Sequence, residues 1–392
     1  MRVRLGDVCE IINGFAFKSE KYVDNGMRII RITNVQNGYI EDNSPVFYPL
    51  NSIEAKKYEL FEGDILISLT GNVGRVGMVT DEFLPATLNQ RVGCLRVNNN
   101  EINEEYLFHF LNTNFFEQKC IESSKGIAQK NMSTEWLKNY EIKLLPMKVQ
   151  KNIVNTLNKI NNLIESRQQQ LKKLDELVKS RFIEMFGDPL LNPYNLITVK
   201  LGTVLAVEPQ NGLYKPQSDY VVDKSGIPIL RIDSFYNGQL RNLNSLKRLN
   251  CSDIEKKRYL LKENDIVINR VNSIEYLGKC ALITGLIEDT LFESNMMRLH
   301  VDETKYNPVY VTYLLCSKFI YNQILSMAKK AVNQASINQK DVENFEIYMP
   351  NLNSQNEFAD FVKQTDKSKL EIQKSLDKLE ILKKSLMQQY FG

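Results

Sequence analysis

Three sets of side chains in this sequence have the types and spacing to do chemistry, and each set occurs twice. Lys125, Gln129, Lys130 and Asn131 crowd together just before a predicted helix that Ser133 would cap. Lys329, Lys330, Asn333, Gln334 and Ser336 stand in the corresponding place before a helix starting at Asn338. Arg75 follows a strand-like run, and Arg270 with Asn272 follows its counterpart. A loop near the start of each half adds Phe17, Lys18 and Ser19 in one copy, and Tyr214 and Lys215 in the other. Amide side chains pair with adenine edges, Arg and Lys with guanine edges, and Lys or a helix N-terminus with phosphate. The chemistry implied is recognition of a nucleic acid. Any single Lys or Gln here also reads as a solvated loop residue, but both copies keep basic and amide chemistry at the same place.

Signatures of bond-making chemistry are missing from the pattern. His109 lies in a Phe/Leu-rich helical run and His300 in a strand-like run, and neither has a cysteine or carboxylate at ligand spacing, so both read as structural. Gly71-Asn72-Val73-Gly74-Arg75-Val76-Gly77 is Gly-rich but lacks the Gly-Lys-Ser/Thr of a phosphate loop. Asn192-Pro193-Tyr194 reads as a turn, and Glu141-Ile142-Lys143 as a strand. Cys9, Cys94, Cys120, Cys251, Cys280 and Cys316 have neither zinc-knuckle nor redox spacing, which reads as free thiols in a reducing compartment. No apolar run is long enough to span a membrane and no apolar signal core opens the chain, so a cytoplasmic location is expected. The net charge of +3 means that any DNA affinity must come from local basic loops.

The elements that position these loops repeat as a unit. Val3-Arg4-Leu5-Gly6 returns as Val199-Lys200-Leu201-Gly202, and Asn139-Tyr140-Glu141-Ile142 as Asn344-Phe345-Glu346-Ile347. Gly63-Asp64-Ile65-Leu66-Ile67 returns as Asn264-Asp265-Ile266-Val267-Ile268. The segments Gln150 to Gly187 and Gln355 to Gly392 match without a gap, whereas the offset drifts through the parts before them. Strands are expected at Arg28 to Thr33, Asp64 to Ser68, Val76 to Thr80 and Val92 to Val97, and helices near 104–122 and 309–328.

Each gap-free segment lacks proline and carries apolar residues at heptad spacing. The first seam is Ile153, Leu157, Ile160, Ile164, Leu171, Leu174 and Val178, interrupted by Arg167; the second is Val362, Thr365, Lys369, Ile372, Leu376, Leu379, Lys383 and Leu386. A 38-residue helix is about 57 Å long and has one stripe to bury, so the two should pack antiparallel and bring the chain termini close. Separate helices, each capping its own domain, are the alternative. The expected fold is therefore α+β: two similar domains joined by two long helices in an antiparallel coiled coil, with pseudo-twofold symmetry. Its segments are domain one (1–146), helix one (147–187), domain two (188–350) and helix two (351–392).

In order and twice over, these features resemble the specificity subunit of type I restriction–modification systems. The residues that carry the resemblance are Leu5-Gly6-Asp7-Val8, Gly63 to Ser68 with Gly74-Arg75, Asn89-Gln90-Arg91-Val92 and Gln129 to Gln150. In the second copy they are Leu201-Gly202, Asn264 to Val267 and Gln334 to Gln355. The resemblance adds Gln90 and Arg91 to the candidate DNA contacts. It implies two inverted target-recognition domains, each reading half of a split site in double-stranded DNA. The coil would set the gap and dock two methyltransferase subunits, with restriction and translocase subunits further out. S-adenosylmethionine, ATP and Mg2+ would belong to those partners, and this chain would not be an enzyme by itself. The second copy lacks the Gly-x-x-Gly-Arg stretch, which puts the equivalence of Arg270 and Arg75 in doubt. A symmetric scaffold that clamps two identical partners without touching DNA would use the same repeat.

Overall fold

The computed structural model describes residues 1–124, 131–223, 225–236, 238–332 and 334–392. The chain forms two compact units, Met1–Gln169 with Gln373–Gly392, and Gln170–Ile372. Each unit takes half of each of two long helices, Met147–Phe186 and Leu352–Phe391.

In the first unit, Cys9–Asn13, Val92–Val97, Ile65–Ser68 and Val76–Met78 form an antiparallel sheet in that spatial order. Strand periodicity sends neighbouring side chains to opposite faces. Ile65 and Ile67 thus enter a core with Leu107, Leu111 and Phe116 of the helices Glu104–Leu111 and Asn114–Ser123, while Leu66 enters a second core. A mixed sheet closes that second core, with Met27–Ile30 parallel to Ala86–Leu88. The extended run expected from Arg28 to Thr33 stops at Ile30. The Arg31 N–H donates to Asn34 Oδ1 (2.8 Å), closing a turn there.

The second unit repeats this plan. Leu205–Asn211, Met296–Val301, Ile266–Asn269 and Cys280–Leu282 form the antiparallel sheet, and Ile227–Leu230 runs parallel to Leu291–Phe292 in the other. Ile266 and Ile268 face the helical core, and Val267 faces the inter-sheet core. The Glu141–Lys143 segment is a strand paired with Arg2–Arg4, as its twin Glu346–Tyr348 is with Thr198–Lys200. Asn192-Pro193-Tyr194 forms a turn, with Asn192 at φ 44°.

One polar device anchors each long helix to its unit. Gln150 is fully buried; its Nε2 donates to Glu101 O (2.8 Å) and Leu145 O (2.7 Å), and its Oε1 accepts from Asn103 N (2.8 Å). Gln355, equally buried, does the same with Pro350 O (3.0 Å), Lys305 O (3.5 Å) and Asn307 N (2.8 Å). A buried amide is tolerated only when its hydrogen bonds are made. In both copies it ties the helix to the N-terminus of a helix of its domain.

Within each unit the two long helices run antiparallel. In the first unit Ile153, Val154 and Leu157 share a core with Leu386, Tyr390 and Phe391. That core also holds Leu5 and Val8 near the start of the chain. In the second, Val178, Phe182 and Phe186 pack with Phe358 and Val362, while Lys369 pairs with Asp175 (2.7 Å) and Arg181 with Glu357 (2.8 Å). Leu157, Ile160, Val178, Val362 and Leu376 are buried; Ile164, Leu171, Leu174, Ile372, Leu379 and Leu386 are half-buried. Covered positions thus follow the four–three spacing, including the polar seam residues Thr365, Lys369 and Lys383. Desolvation lowers the pKa of Lys383, as expected for an ammonium in such a seam.

Candidate nucleic-acid interface

Backbone hydrogen bonds gather some candidate loops at one end of the antiparallel sheet of each unit. In the first unit Gln90 N–H donates to Phe15 O (3.0 Å), Leu69 N–H to Arg91 O (3.0 Å) and Met132 N–H to Leu69 O (2.8 Å). Thr70 also bridges to Asn131. The exposed Gln90, Arg91 and Asn131 therefore lie on adjacent segments. Arg75 closes the same loop, where its Nη1 donates to Gln36 Oε1 (2.8 Å). Lys125, Gln129 and Lys130 lie outside the described residues.

In the second unit the chain draws two candidate loops into one β-ribbon. Val271–Asn272 pairs with Ala335–Ser336, which pairs with Lys329–Lys330. Asn272, Ser336, Lys329 and Lys330 share this ribbon, and Gln334 is exposed at its turn, where Ala331 N–H donates to Gln334 O (2.7 Å). Asn333 lies outside the described residues.

The opening loops are a different matter. Gly14 and Gly212 each run so close to a backbone carbonyl, of Asn89 and Glu293, that a Cβ would collide with it. This approach carries Phe17 inward. It is 8% exposed and packs in a small core with Tyr48 and Met27, its ring tilted against that of Tyr48, so the expectation that Phe17 contacts DNA is corrected. Lys18 and Ser19 are exposed on a turn whose next residue pair, Lys21 and Glu54, ties it to the helix Ile53–Lys57. Lys215 is held by Glu255 (3.0 Å) and Asp219 (3.5 Å), which use its charge inside the unit. Tyr214 is 77% exposed.

The counterpart of Arg75 is Lys279, not Arg270. Ser68 N–H donates to Arg75 O (2.9 Å) and Gly74 N–H to Ser68 O (3.0 Å). Asn269 N–H donates to Lys279 O (2.8 Å) and Gly278 N–H to Asn269 O (2.9 Å). Gly74 and Gly278 both have positive φ, 90° and 75°, and both face the following helix pair, at Cys120 and Ile324. Arg270 instead takes the place of Leu69: its N–H donates to Asn295 O (2.8 Å), and its guanidinium turns back to Ser294 O (3.0 Å). The second loop is longer, and the extra residues hid the match between Gly74-Arg75 and Gly278-Lys279.

The Lys279 ammonium sits 4.0 Å from the Tyr236 ring centroid and 3.9 Å from that of Tyr276. Tyr236 corresponds to Gln36, because Phe235 pairs with Leu240 as Val35 does with Ile40. The same station thus holds Arg75 with an amide in one unit and Lys279 with two tyrosines in the other. Most arginines elsewhere are spent on carboxylates: Arg28 on Asp42, Arg96 on Asp64, Arg231 on Glu293, Arg248 on Glu288. Among the described residues, no carboxylate lies in ion-pair range of Arg75, Arg91 or Lys279. His300 Nδ1 meets the buried Asp265 (2.9 Å), and His109 Nε2 meets Asn158 Oδ1 (3.2 Å), placing both histidines in structural contacts. Among the described residues no cluster of His, Cys, Asp and Glu could hold a metal ion, and no helix is long and apolar enough to cross a membrane.

Comparison with known proteins agrees with this duplicated architecture. The family model of the type I restriction modification DNA specificity domain matches residues 1–176 and again 195–382. The EcoKI specificity subunit of Escherichia coli K12 is 24% identical over 91% of this chain and 80% of its own length. The StySPI specificity subunit of Salmonella potsdam is 25% identical over 98% of this chain and 86% of its own. The crystal structure of the type I restriction-modification S subunit from M. genitalium shares the fold, with a TM-score of 0.57 at 14% identity over 100% of this chain and 96% of that one. Two target-recognition domains, each on half of a pair of long helices, and two successive family matches make this chain a member of the type I restriction–modification DNA specificity subunits.

Proposed function

We propose that the chain reads a bipartite, asymmetric site in double-stranded DNA, one half with each unit, and has no catalytic activity of its own. The observation that carries this reading is the station at residues 75 and 279. Both units present an uncompensated cation at the same point of the fold, but they surround it with different chemistry, Gln36 in one and two tyrosines in the other. An arginine fork beside an amide suits a base edge and a lysine head between two rings suits a phosphate, so the two frames would not engage DNA alike, in keeping with an asymmetric site. Asn131, Gln90 and Arg91 would contribute in the first unit, and Asn272, Gln334, Ser336, Lys329 and Lys330 in the second.

The coiled coil would set the unread gap and dock two methyltransferase subunits, with restriction and translocase subunits beyond them. Leu163, Leu177, Ile183, Leu370, Ile381 and Leu382 leave apolar surface exposed on the long helices, which supports such docking. S-adenosylmethionine, ATP and Mg2+ would be bound by those partners. Mapping methylated sites in a genome that carries this chain with its methyltransferase tests the reading. A split motif is expected. Inserting one heptad into both helices adds about 10 Å and should lengthen the gap or abolish modification. An unchanged motif would overturn the ruler. Gel shifts of the methyltransferase complex with Arg75→Ala and Gln334→Ala separate DNA reading from a pure scaffold. The scaffold reading requires DNA binding to survive both substitutions.

A further inference from the structure

Resting on the DNA-reading function proposed above, we infer that Lys279, held between the rings of Tyr236 and Tyr276, is a DNA-phosphate contact of the second unit, at the station Arg75 occupies in the first.

Three observations converge on it. The hydrogen-bond register places Lys279 where Arg75 stands, at the close of the loop that follows the central strand. The same loop carries Val271–Asn272, so Lys279 is continuous with the ribbon that bears Lys329 and Lys330. The charge is also left open. Arg241 lies over the same Tyr236 ring (5.1 Å), adding a second cation, and the carboxylate of Asp366 is taken by Lys369 (3.4 Å) and Gln239 (3.4 Å). Among the described residues nothing anionic pairs with Lys279.

The surroundings select the ligand chemistry. Tyr236 and Tyr276 are 37% and 49% exposed, so the cage opens to solvent. Two ring faces restrain a flexible side chain and attract its ammonium, which reduces the entropy lost on meeting a ligand. A lysine head is a compact point charge with donors only, suited to a phosphate oxygen rather than to the mixed donor–acceptor edge of a base. Arg75 beside an amide has the planar fork that a base edge requires.

The test uses the full chain in complex with its methyltransferase, and duplexes with either the mapped methylation site or a scrambled sequence. Lys279→Met keeps the stem between the rings and removes the charge. It should weaken binding about tenfold on both duplexes and lower the slope of log affinity against log salt by about 1. Lys279→Arg should retain the slope, and Tyr276→Leu should weaken binding about threefold. A wild-type slope for Lys279→Met overturns the inference, as does a loss confined to melting temperature, which would make the cage only a staple between two loops. A wild-type complex that does not distinguish the two duplexes overturns the DNA-reading function itself, and the inference with it.

Discussion

Replacing Gln150 by Leu isolates the device that fastens the first long helix to its domain. The two side chains are close in size, so little cavity is expected, and the change is almost purely one of hydrogen bonding. Three bonds of 2.7–2.8 Å disappear from a fully buried site. At about 1 kcal/mol each, and more where a backbone group is left unpaired, the loss is at least about 3 kcal/mol. Trp136 is the sole tryptophan and packs against Tyr140 (5.1 Å) in the first unit's core, so its fluorescence reports that unit. With a urea m-value of about 3 kcal/mol/M, the Trp136 midpoint should fall by about 1 M. Gln355→Leu should cost less, about 2 kcal/mol, because the Gln355 bond to Lys305 O is stretched to 3.5 Å. Circular dichroism would follow that second variant. A Gln150→Leu midpoint within about 0.2 M of wild type would show that the amide is incidental to the helix anchor.

Other outcomes follow from buried charge and burial. Lys383 in the coil seam has its pKa lowered, first by desolvation; Lys383→Met should raise the Trp136 midpoint by an amount equal to about 1 kcal/mol, after discounting for the solvent that still reaches the ammonium. His109 also has its pKa lowered, chiefly by desolvation. Its folded form resists protonation, so its contribution is present above the unfolded pKa of about 6.5 and is lost as pH falls below it. His109→Gln should flatten the fall in stability between about pH 6.5 and 5, and an unchanged acid limb would count against this. Burial pushes the Cys9 and Cys120 thiols up to about 12, whereas Cys316 is exposed. Maleimide at pH 8 should therefore label Cys316 first and leave Cys9 and Cys120 unmodified in native protein, as mass spectrometry of the digested chain would show.

The long helices were legible because heptad spacing is local information. A four–three alternation implies one covered stripe, whatever covers it, and Leu157, Ile160, Val178, Val362 and Leu376 lie on it. The short helices after Ser133 and Asn338 were legible for the same reason, since a cap acts within one turn. Contact residues were less legible. Phe17 read as a loop aromatic, but Gly14 lets the chain turn inward and bury it. The equivalence of Arg270 and Arg75 was in doubt because the second copy lacks the Gly-x-x-Gly-Arg stretch, and the longer second loop moves the matching Gly278-Lys279 out of step with Gly74-Arg75.

What the sequence determined by itself was the duplication, the α+β character of each copy, the heptad seams and the loops rich in Lys, Arg, Asn and Gln. All of these rest on periodicity or on short-range chemistry. Tertiary structure alone decided which of those loops meet and which charges are already spent. Strand register pairs residues far apart in the chain: it set Lys279 at the station of Arg75 and joined Val271–Asn272 to Ala335–Ser336 and, through it, to Lys329–Lys330, while a tertiary ion pair left Lys215 neutralised by Glu255. Whether a basic side chain is free to meet DNA depends on such long-range partners, and no local pattern encodes them.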